Sequence, residues 1–413
     1  MPVYLTAETP GSGGVIKESP EDFLVEEVPL YHPCGEGEHT YAVIEKRGVT
    51  TLEALRRIAR ALRVSDRDIG YAGMKDAVGV TRQTISVPRV PPEQVAALEL
   101  PGIRVLSAVL HRNKLRVGHL AGNRFRVRVR GVAADALARA EAVLAILGER
   151  GVPNYFGPQR YGVQGNSHLV GHALVQRDYR AAVDRIIGDP AAVRDDRWRE
   201  AIEAYRRGDI AESLRIFPGH CRTERDILQR LAGRPDGFEK AFHAVHPRLK
   251  KLYLSAFQSA LFDRLLDGRL AGFDRVLEGD LAWKHDNGAC FLVTDAVAEA
   301  ARAQAFEVSP TGPLFGFRMR FPEGEPRVME EALLEGEGLT LESFNLPGGL
   351  GMEGERRPLR VPLGEPEVQM GAEGLLLSFT LPRGAYATSV LREIMKHDRM
   401  KVSSEEVHHG PET

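Results

Sequence analysis

The chain has 413 residues, three scattered cysteines and a formal net charge of −2, with a pI near 6.7. That length exceeds one ordinary hydrophobic core and points to two domains. A near-neutral charge excludes a polyanion-binding surface spread over the whole molecule, so any nucleic-acid site has to be local. Cys34, Cys221 and Cys290 are odd in number and argue for a reducing, cytoplasmic setting over a disulfide framework. No apolar run reaches the ~18–20 residues of a membrane helix, and the first basic residue, Lys17, comes too late to open a signal peptide.

In residues 17–30, Phe23, Val25 and Glu27 fall on one face of a strand and Leu24, Glu26 and Val28 on the other. A turn-rich stretch at 33–37 leads to a second strand over 40–44. Thr50 and Glu53 have capping-box spacing, and Leu52, Leu55, Ala59 and Leu62 recur at helical spacing behind them. Next comes a glycine-rich loop, 70–83, with Gly70, Gly73 and Gly79 around Lys75 and Asp76, followed by a strand-like run at 84–88. Glycine permits close backbone approach and positive φ, so such a loop can present one charged side chain at a fixed place. A plain turn in which Asp76 caps backbone amides fits the composition equally well.

From Arg104 to Arg130 there is no acidic residue. Over 123–130 Arg124, Arg126, Arg128 and Arg130 alternate with Phe125, Val127 and Val129, the period-two pattern of a strand with an apolar face inward and an arginine ladder outward. Like charges at ~7 Å spacing repel unless something negative lies over them. A phosphate-binding surface is therefore expected there, against the alternative of a solvated strand face. A helix follows over 133–147 and is expected to stop at Gly148 and Gly151. The loop 151–162 is crowded with glycines and aromatics around Asn154 and Phe156, where Phe156 is either a core anchor or a face for a nucleobase. Polar helical sequence runs to about 250, and an apolar helix face covers 248–262. Strand-like pieces, an acidic stretch over 323–355, alternating sequence over 365–381 and a short helix beginning at Thr388 or Ser389 complete the chain.

Metal and cofactor chemistries find no motif. There is no phosphate-cradling glycine loop with its lysine and no Cys-x-x-Cys pair. One carboxylate in a glycine loop, a nearby lysine, a stacking aromatic and a basic strip suit cofactor-free RNA chemistry.

Ala72-Gly73-Met74-Lys75-Asp76 followed by Val80-Thr81-Arg82-Gln83 resembles the signature of the TruD family of tRNA pseudouridine synthases. Further matches stand in the family's order: Lys17 to Phe23 with Val25 and Glu27, Gly122-Asn123-Arg124-Phe125, Asn154-Tyr155-Phe156-Gly157 with Gln159-Arg160-Tyr161-Gly162, Tyr253-Leu254-Ser255-Ala256, and Leu381-Pro382-Arg383-Gly384-Ala385-Tyr386-Ala387-Thr388 with Leu391-Arg392-Glu393. The resemblance spans nearly the whole chain. It implies an α/β (α+β mixed) fold: a pseudouridine-synthase-type catalytic domain with a mixed, largely antiparallel sheet, assembled from 1–165 and 356–402. An inserted α/β TRUD domain is implied at 166–355; the polar composition from Ser403 onward separately points to a disordered tail at 403–413.

By the same resemblance, the activity is isomerisation of a uridine in tRNA, at position 13, to pseudouridine, without cofactor or metal. Asp76 falls on the catalytic aspartate, Lys17 on its basic partner, and Phe23, Asn154 and Phe156 on positions lining the uridine pocket. RNA contacts are expected from Arg124, Arg126, Arg128, Arg130 and Lys75. The expected partner is tRNA, with no membrane; the residues leave the oligomeric state open, with a monomer expected. Two positions depart from the family pattern: Ala77, where a basic residue is common, and Gly79, where alanine is usual. A catalytically inactive RNA-binding protein on the same fold, and a synthase acting on another RNA site, are the alternatives.

Overall fold

The computed structural model describes residues 3–75 and 78–396. Asp76, Ala77 and the tail expected to be disordered lie outside the described residues. By Cα proximity the chain divides into two compact units, residues 1–152 with 361–413 and residues 153–360.

The first unit is built on a ten-stranded sheet. Its strands are Gly13–Val15 (β1), Phe23–Pro29 (β2), His39–Arg47 (β3), Gly70–Tyr71 (β4), Val80–Pro88 (β5), Glu99–Leu100 (β6), Ile103–His111 (β7), Leu120–Val132 (β8), Gly364–Gly371 (β15) and Gly374–Pro382 (β16). Between the two groups come Val152–Pro153 (β9), Leu281–Lys284 (β10), Cys290–Leu292 (β11), Val308–Leu314 (β12), Glu355–Pro358 (β13) and Arg360–Val361 (β14). The main path runs β15-β16-β8-β2-β5-β3-β7-β6, with β1 on β8 and β4 on β5. Among the described residues every pairing in this sheet is antiparallel except β2 with β5. A mixed, largely antiparallel sheet is thus observed.

The helices are Thr51–Leu62 (α1), Pro92–Ala96 (α2), Ala136–Arg150 (α3), Ser167–Val175 (α4), Tyr179–Ile187 (α5), Asp196–Arg206 (α6), Ile210–Ile216 (α7), Arg222–Gly233 (α8), Phe238–Phe242 (α9), Pro247–Arg269 (α10), Ala296–Gln304 (α11), Gly324–Gly336 (α12) and Ala387–Met395 (α13). The Thr50 side chain caps α1 by accepting the N–H of Glu53 at 3.2 Å. Helix α3 runs through Gly148 and ends at Gly151, whose φ of 94° only glycine adopts easily. Gly148 has open space where a Cβ would stand, and one glycine weakens an exposed helix by only ~1 kcal/mol, so the break expected there does not occur.

Helices α1, α3 and α13 pack on one face of this sheet. Ile44 and Ile85 meet Leu55 and Ile58 of α1, while Phe125, Val127 and Leu377 meet Val143 and Leu147 of α3 and Val390 and Ile394 of α13. The register places Lys46 beside Thr81, Thr81 beside Val25 and Val25 beside Phe125, so the same face carries a polar stretch between the two apolar clusters. The chain's two ends meet in this unit, because the buried Glu393 carboxylate accepts the N–H groups of Leu5 and Thr6 at 3.0 Å each.

The second unit holds a four-stranded sheet, β11-β10-β12-β13, and helices α4 to α12. Its largest apolar cluster draws on α4, α5, α8 and α10 through Val170, Ile187, Leu228, Leu254 and Leu261. Segment 153–165, grouped from the sequence with the catalytic part, packs with this unit. Among the described residues no helix is long and apolar enough to cross a membrane.

Candidate active site

The polar stretch owes its shape to a gap in the ladder. Strand β5 is paired along its length with β3 on one side. On its other side β2 runs parallel to residues 80–82, and β4 pairs with Ile85 and Ser86. Between those two partners the N–H of Thr84 has no strand to receive it, and the Glu27 carboxylate takes it at 3.0 Å. The second Glu27 oxygen lies 3.0 Å from the Lys75 ammonium, with the two side chains 3 % and 9 % exposed. Lys75, expected to face either structure or an RNA phosphate, is held in a buried ion pair.

The backbone of Lys75 is pinned as well. Its N–H donates to the Thr51 hydroxyl at 2.8 Å, and that hydroxyl donates onward to Gln83 Oε1 at 2.9 Å. Its carbonyl accepts the Lys46 ammonium at 3.1 Å, which also donates to Val49 O at 2.9 Å. Lys46 is 1 % exposed. The loop is therefore fixed at the residue immediately preceding Asp76, from the first turn of α1 and from β3. Lys46 was missed by sequence reading, and Gln83 stood within a motif without a role. The available signal was polar residues at the inward positions of β3 and β5, in register with apolar neighbours.

Lys17 and Phe23 come together in the same unit. The Lys17 backbone adopts φ 62°, a left-handed conformation that costs a non-glycine residue ~1–3 kcal/mol. Its ammonium lies 4.9 Å from the centre of the Phe23 ring. The intervening turn is tied down by buried Asp22, which accepts Ser19 N–H at 3.0 Å and Arg130 in a two-pronged contact at 2.9 and 2.8 Å. Burial works to raise the Asp22 pKa, but the Arg130 guanidinium and the Ser19 N–H outweigh it and hold the carboxyl below its usual value. Phe23 lies beside Phe125, ring centres 6.3 Å apart. Gly79 packs against its backbone: φ is 116°, and an added Cβ would stand 2.5 Å from Phe23 O. An alanine in place of Gly79 would be strained here.

Strand β8 has the expected alternation, with Phe125, Val127 and Val129 buried. The arginine ladder carries carboxylates of its own chain. Arg124 pairs with Glu365 at 2.7 Å, Arg128 with Glu373 at 2.6 Å, and Arg130 with Asp22 and Glu373 at 2.8 and 3.1 Å. The hydrogen bonds that Arg130 donates to Asp22 and Glu373 hold its pKa above the usual value. Arg126 is exposed and makes no ion pair among the described residues. The negative charge that the ladder requires is thus largely intramolecular.

Asn154 and Phe156 belong to the second unit. Asn154 is buried and hydrogen-bonded: its N–H and Nδ2 donate to Leu359 O and Pro358 O at 2.9 Å each, and its Oδ1 accepts Arg357 Nη2 at 2.5 Å. The same guanidinium lies 4.3 Å from the Phe156 ring centre, and the ring of Phe262 meets Phe156 edge-on at 5.7 Å. One face of α10 receives the loop. Arg160 donates to Ser255 and Ser259, Phe156 N–H and Tyr161 Oη to Asp263 at 3.0 and 2.5 Å, and Tyr155 Oη to Asp267 at 2.6 Å. Burial pushes the Asp263 pKa up to about 7, against the pull of Tyr161, the Phe156 N–H and Arg357. Sequence reading missed Arg357, Asp263 and Asp267, although Ser255, Ser259, Asp263 and Asp267 recur every fourth residue on a helix.

The geometry can be set against known proteins. The model of the family described as "tRNA pseudouridine synthase D (TruD)" matches residues 1–394. The chain belongs to the TruD family of tRNA pseudouridine synthases. TruD relatives include tRNA pseudouridine synthase D of Geobacter metallireducens, 68 % identical over 96 % of this chain and 98 % of that protein. The protein of the same name from Thermus thermophilus is 41 % identical over 95 % of this chain and 92 % of its own. Among solved structures, the putative TruD of Methanosarcina mazei superposes with a TM-score of 0.83 at 28 % identity, covering 96 % of each chain. The resemblance carried by the motifs and the fold class it implied are both borne out, and with TruD membership comes an isomerase of that type.

Proposed function

We propose that this chain isomerises uridine 13 of tRNA to pseudouridine, with Asp76 as the catalytic carboxylate and without metal or cofactor. The observation that carries the assignment of Asp76 is the pinning of Lys75, N–H to Thr51 and carbonyl to Lys46, which gives the next residue in the chain a fixed point of departure. The reaction breaks the bond between N1 and the sugar, turns the base over and rejoins it through C5, with loss of the C5 proton to solvent and gain of a proton at N1. The base therefore leaves the RNA stack for a pocket. Asp76 acts on the sugar as nucleophile or base. Lys17, already set over Phe23, holds that carboxylate ionised, and Phe23 lines the pocket. Phe156 supports the turning base and Asn154 keeps its loop in place, consistent with the bonds its amide makes to Pro358 and Arg357. RNA phosphate binds at Arg126 and at the outer edges of Arg124 and Arg128. The protein works as a cytoplasmic monomer, its catalytic part drawn from both ends of the chain around the TRUD domain.

The test is tritium release from tRNA labelled at uridine C5, with sequence mapping of the product. Wild type is expected to release tritium and place pseudouridine at position 13, and Asp76→Asn to release none. Binding of tRNA without release by wild type contradicts the enzyme assignment in favour of a binding protein, and a mapped site elsewhere corrects the position.

A further inference from the structure

In the first unit the two most exposed large apolar side chains among the described residues are Met74 and Val117, each 70 % exposed. A lone exposed hydrophobe needs no explanation, but these two lie on loops fastened to each other. Gly118 N–H donates to Ala72 O at 2.8 Å, and Gly70 is so close to Leu115 that an added Cβ would stand 2.2 Å from Leu115 O. Leu115 N–H donates in turn to Ser86 Oγ at 3.0 Å, which anchors the second loop on β5. Met74 is next to the pinned Lys75 and two residues before Asp76.

Charge around the pair identifies what covers it. Arg116, beside Val117, is exposed, and Arg383 is exposed with its Nη1 donating to Gly118 O at 2.9 Å. No acidic residue occurs anywhere from 104 to 130. Apolar tips flanked by arginines on a rigid base fit a nucleic-acid strand, with phosphates on the guanidinium groups and apolar side chains against bases.

We infer that Met74 and Val117 form an apolar wedge that enters the RNA stack beside the target uridine, filling the space it vacates and holding it out of the helix. Small apolar side chains pushed between base steps unstack nucleic acid in this manner, and an enzyme acting on a base must first extrude it. The inference rests on the proposed synthase activity. It adds the residues that touch the neighbouring bases rather than the reacting one.

The experiment measures single-turnover tritium release from C5-labelled tRNA with the enzyme at saturating excess, alongside tRNA affinity and melting temperature. Met74→Ala/Val117→Ala and Met74→Gln are expected to slow release at least tenfold, with dissociation constants within threefold of wild type. Melting temperature should not move, since both side chains are exposed. Met74→Leu, which keeps the apolar bulk, is expected to recover most of the rate that Met74→Gln loses. Wild-type rates at saturation in the Ala and Gln variants, or a loss confined to affinity, overturn the wedge. Absence of release from wild type itself overturns instead the activity on which the wedge depends.

Discussion

The hydroxyl of Thr51, at the start of α1, receives the backbone N–H of Lys75 at 2.8 Å. One helix start thus holds a loop whose next residue is Asp76, and Lys46 holds the same peptide from β3 through the Lys75 carbonyl. Misplacing a reacting group by an ångström can cost ~100-fold in rate. Thr51→Val is expected to lower kcat about 10- to 100-fold with KM nearly unchanged, and Thr51→Ser to restore most of it. Steady-state kinetics on tRNA check this, and an effect on KM alone would assign Thr51 to substrate binding.

The Lys75–Glu27 pair is buried, so removing one partner leaves the other charge uncompensated. Lys75→Met is expected to destabilise the fold by ~3–5 kcal/mol, and adding Glu27→Gln to recover part of that loss. Urea unfolding of the single and double variants measures it. A near-neutral single variant would mean that Lys75 is free to turn toward RNA.

The four arginines of β8 separate into two kinds. Arg126→Ala is expected to weaken tRNA binding and to reduce the slope of log affinity against log salt by roughly 0.9, the loss of about one phosphate contact. Arg130→Ala is expected to act through the fold, since it removes the two-pronged guanidinium contact from buried Asp22. Its signature is a lower melting temperature. Equal salt slopes for wild type and Arg126→Ala would make that side chain a solvated strand position.

The contrast within this ladder shows where the sequence was legible. Period-two alternation over 123–130 is a local signal, and the buried Phe125, Val127 and Val129 follow from it. The identity of the counter-charge is not local. Glu365 and Glu373 lie more than 240 residues from the arginines they meet, brought there by the pairing of β16 with β8. The Glu27–Lys75 pair was hidden for a related reason: it depends on β2 parting from β5 after residue 82, which no residue pattern announces. Helix α10 was visible as an apolar face, while its polar face, which receives Tyr155, Phe156 and Tyr161, needed the fold to give it a partner. The motifs located the candidate site; the structure supplied the hydrogen bonds that hold it.

Asp263 gives a pH dependence with a definite sign. Its pKa, pushed up to about 7 by burial, exceeds the ordinary 3.8, so between those values the folded state binds a proton that the unfolded state has lost. Stability from this group is full below about pH 4, falls as pH rises toward 7, and is level above. The change is on the order of 4 kcal/mol across the window. Asp263→Asn is expected to remove that slope in urea unfolding between pH 4 and 8. A slope that survives the substitution would belong to another group.

The most direct measurement compares tritium release and tRNA affinity for wild type and Asp76→Asn on C5-labelled tRNA. The expected result is release by wild type, none by Asp76→Asn, and dissociation constants equal within threefold. Release by Asp76→Asn at the wild-type rate would contradict the central claim, as would a parallel loss of binding and turnover.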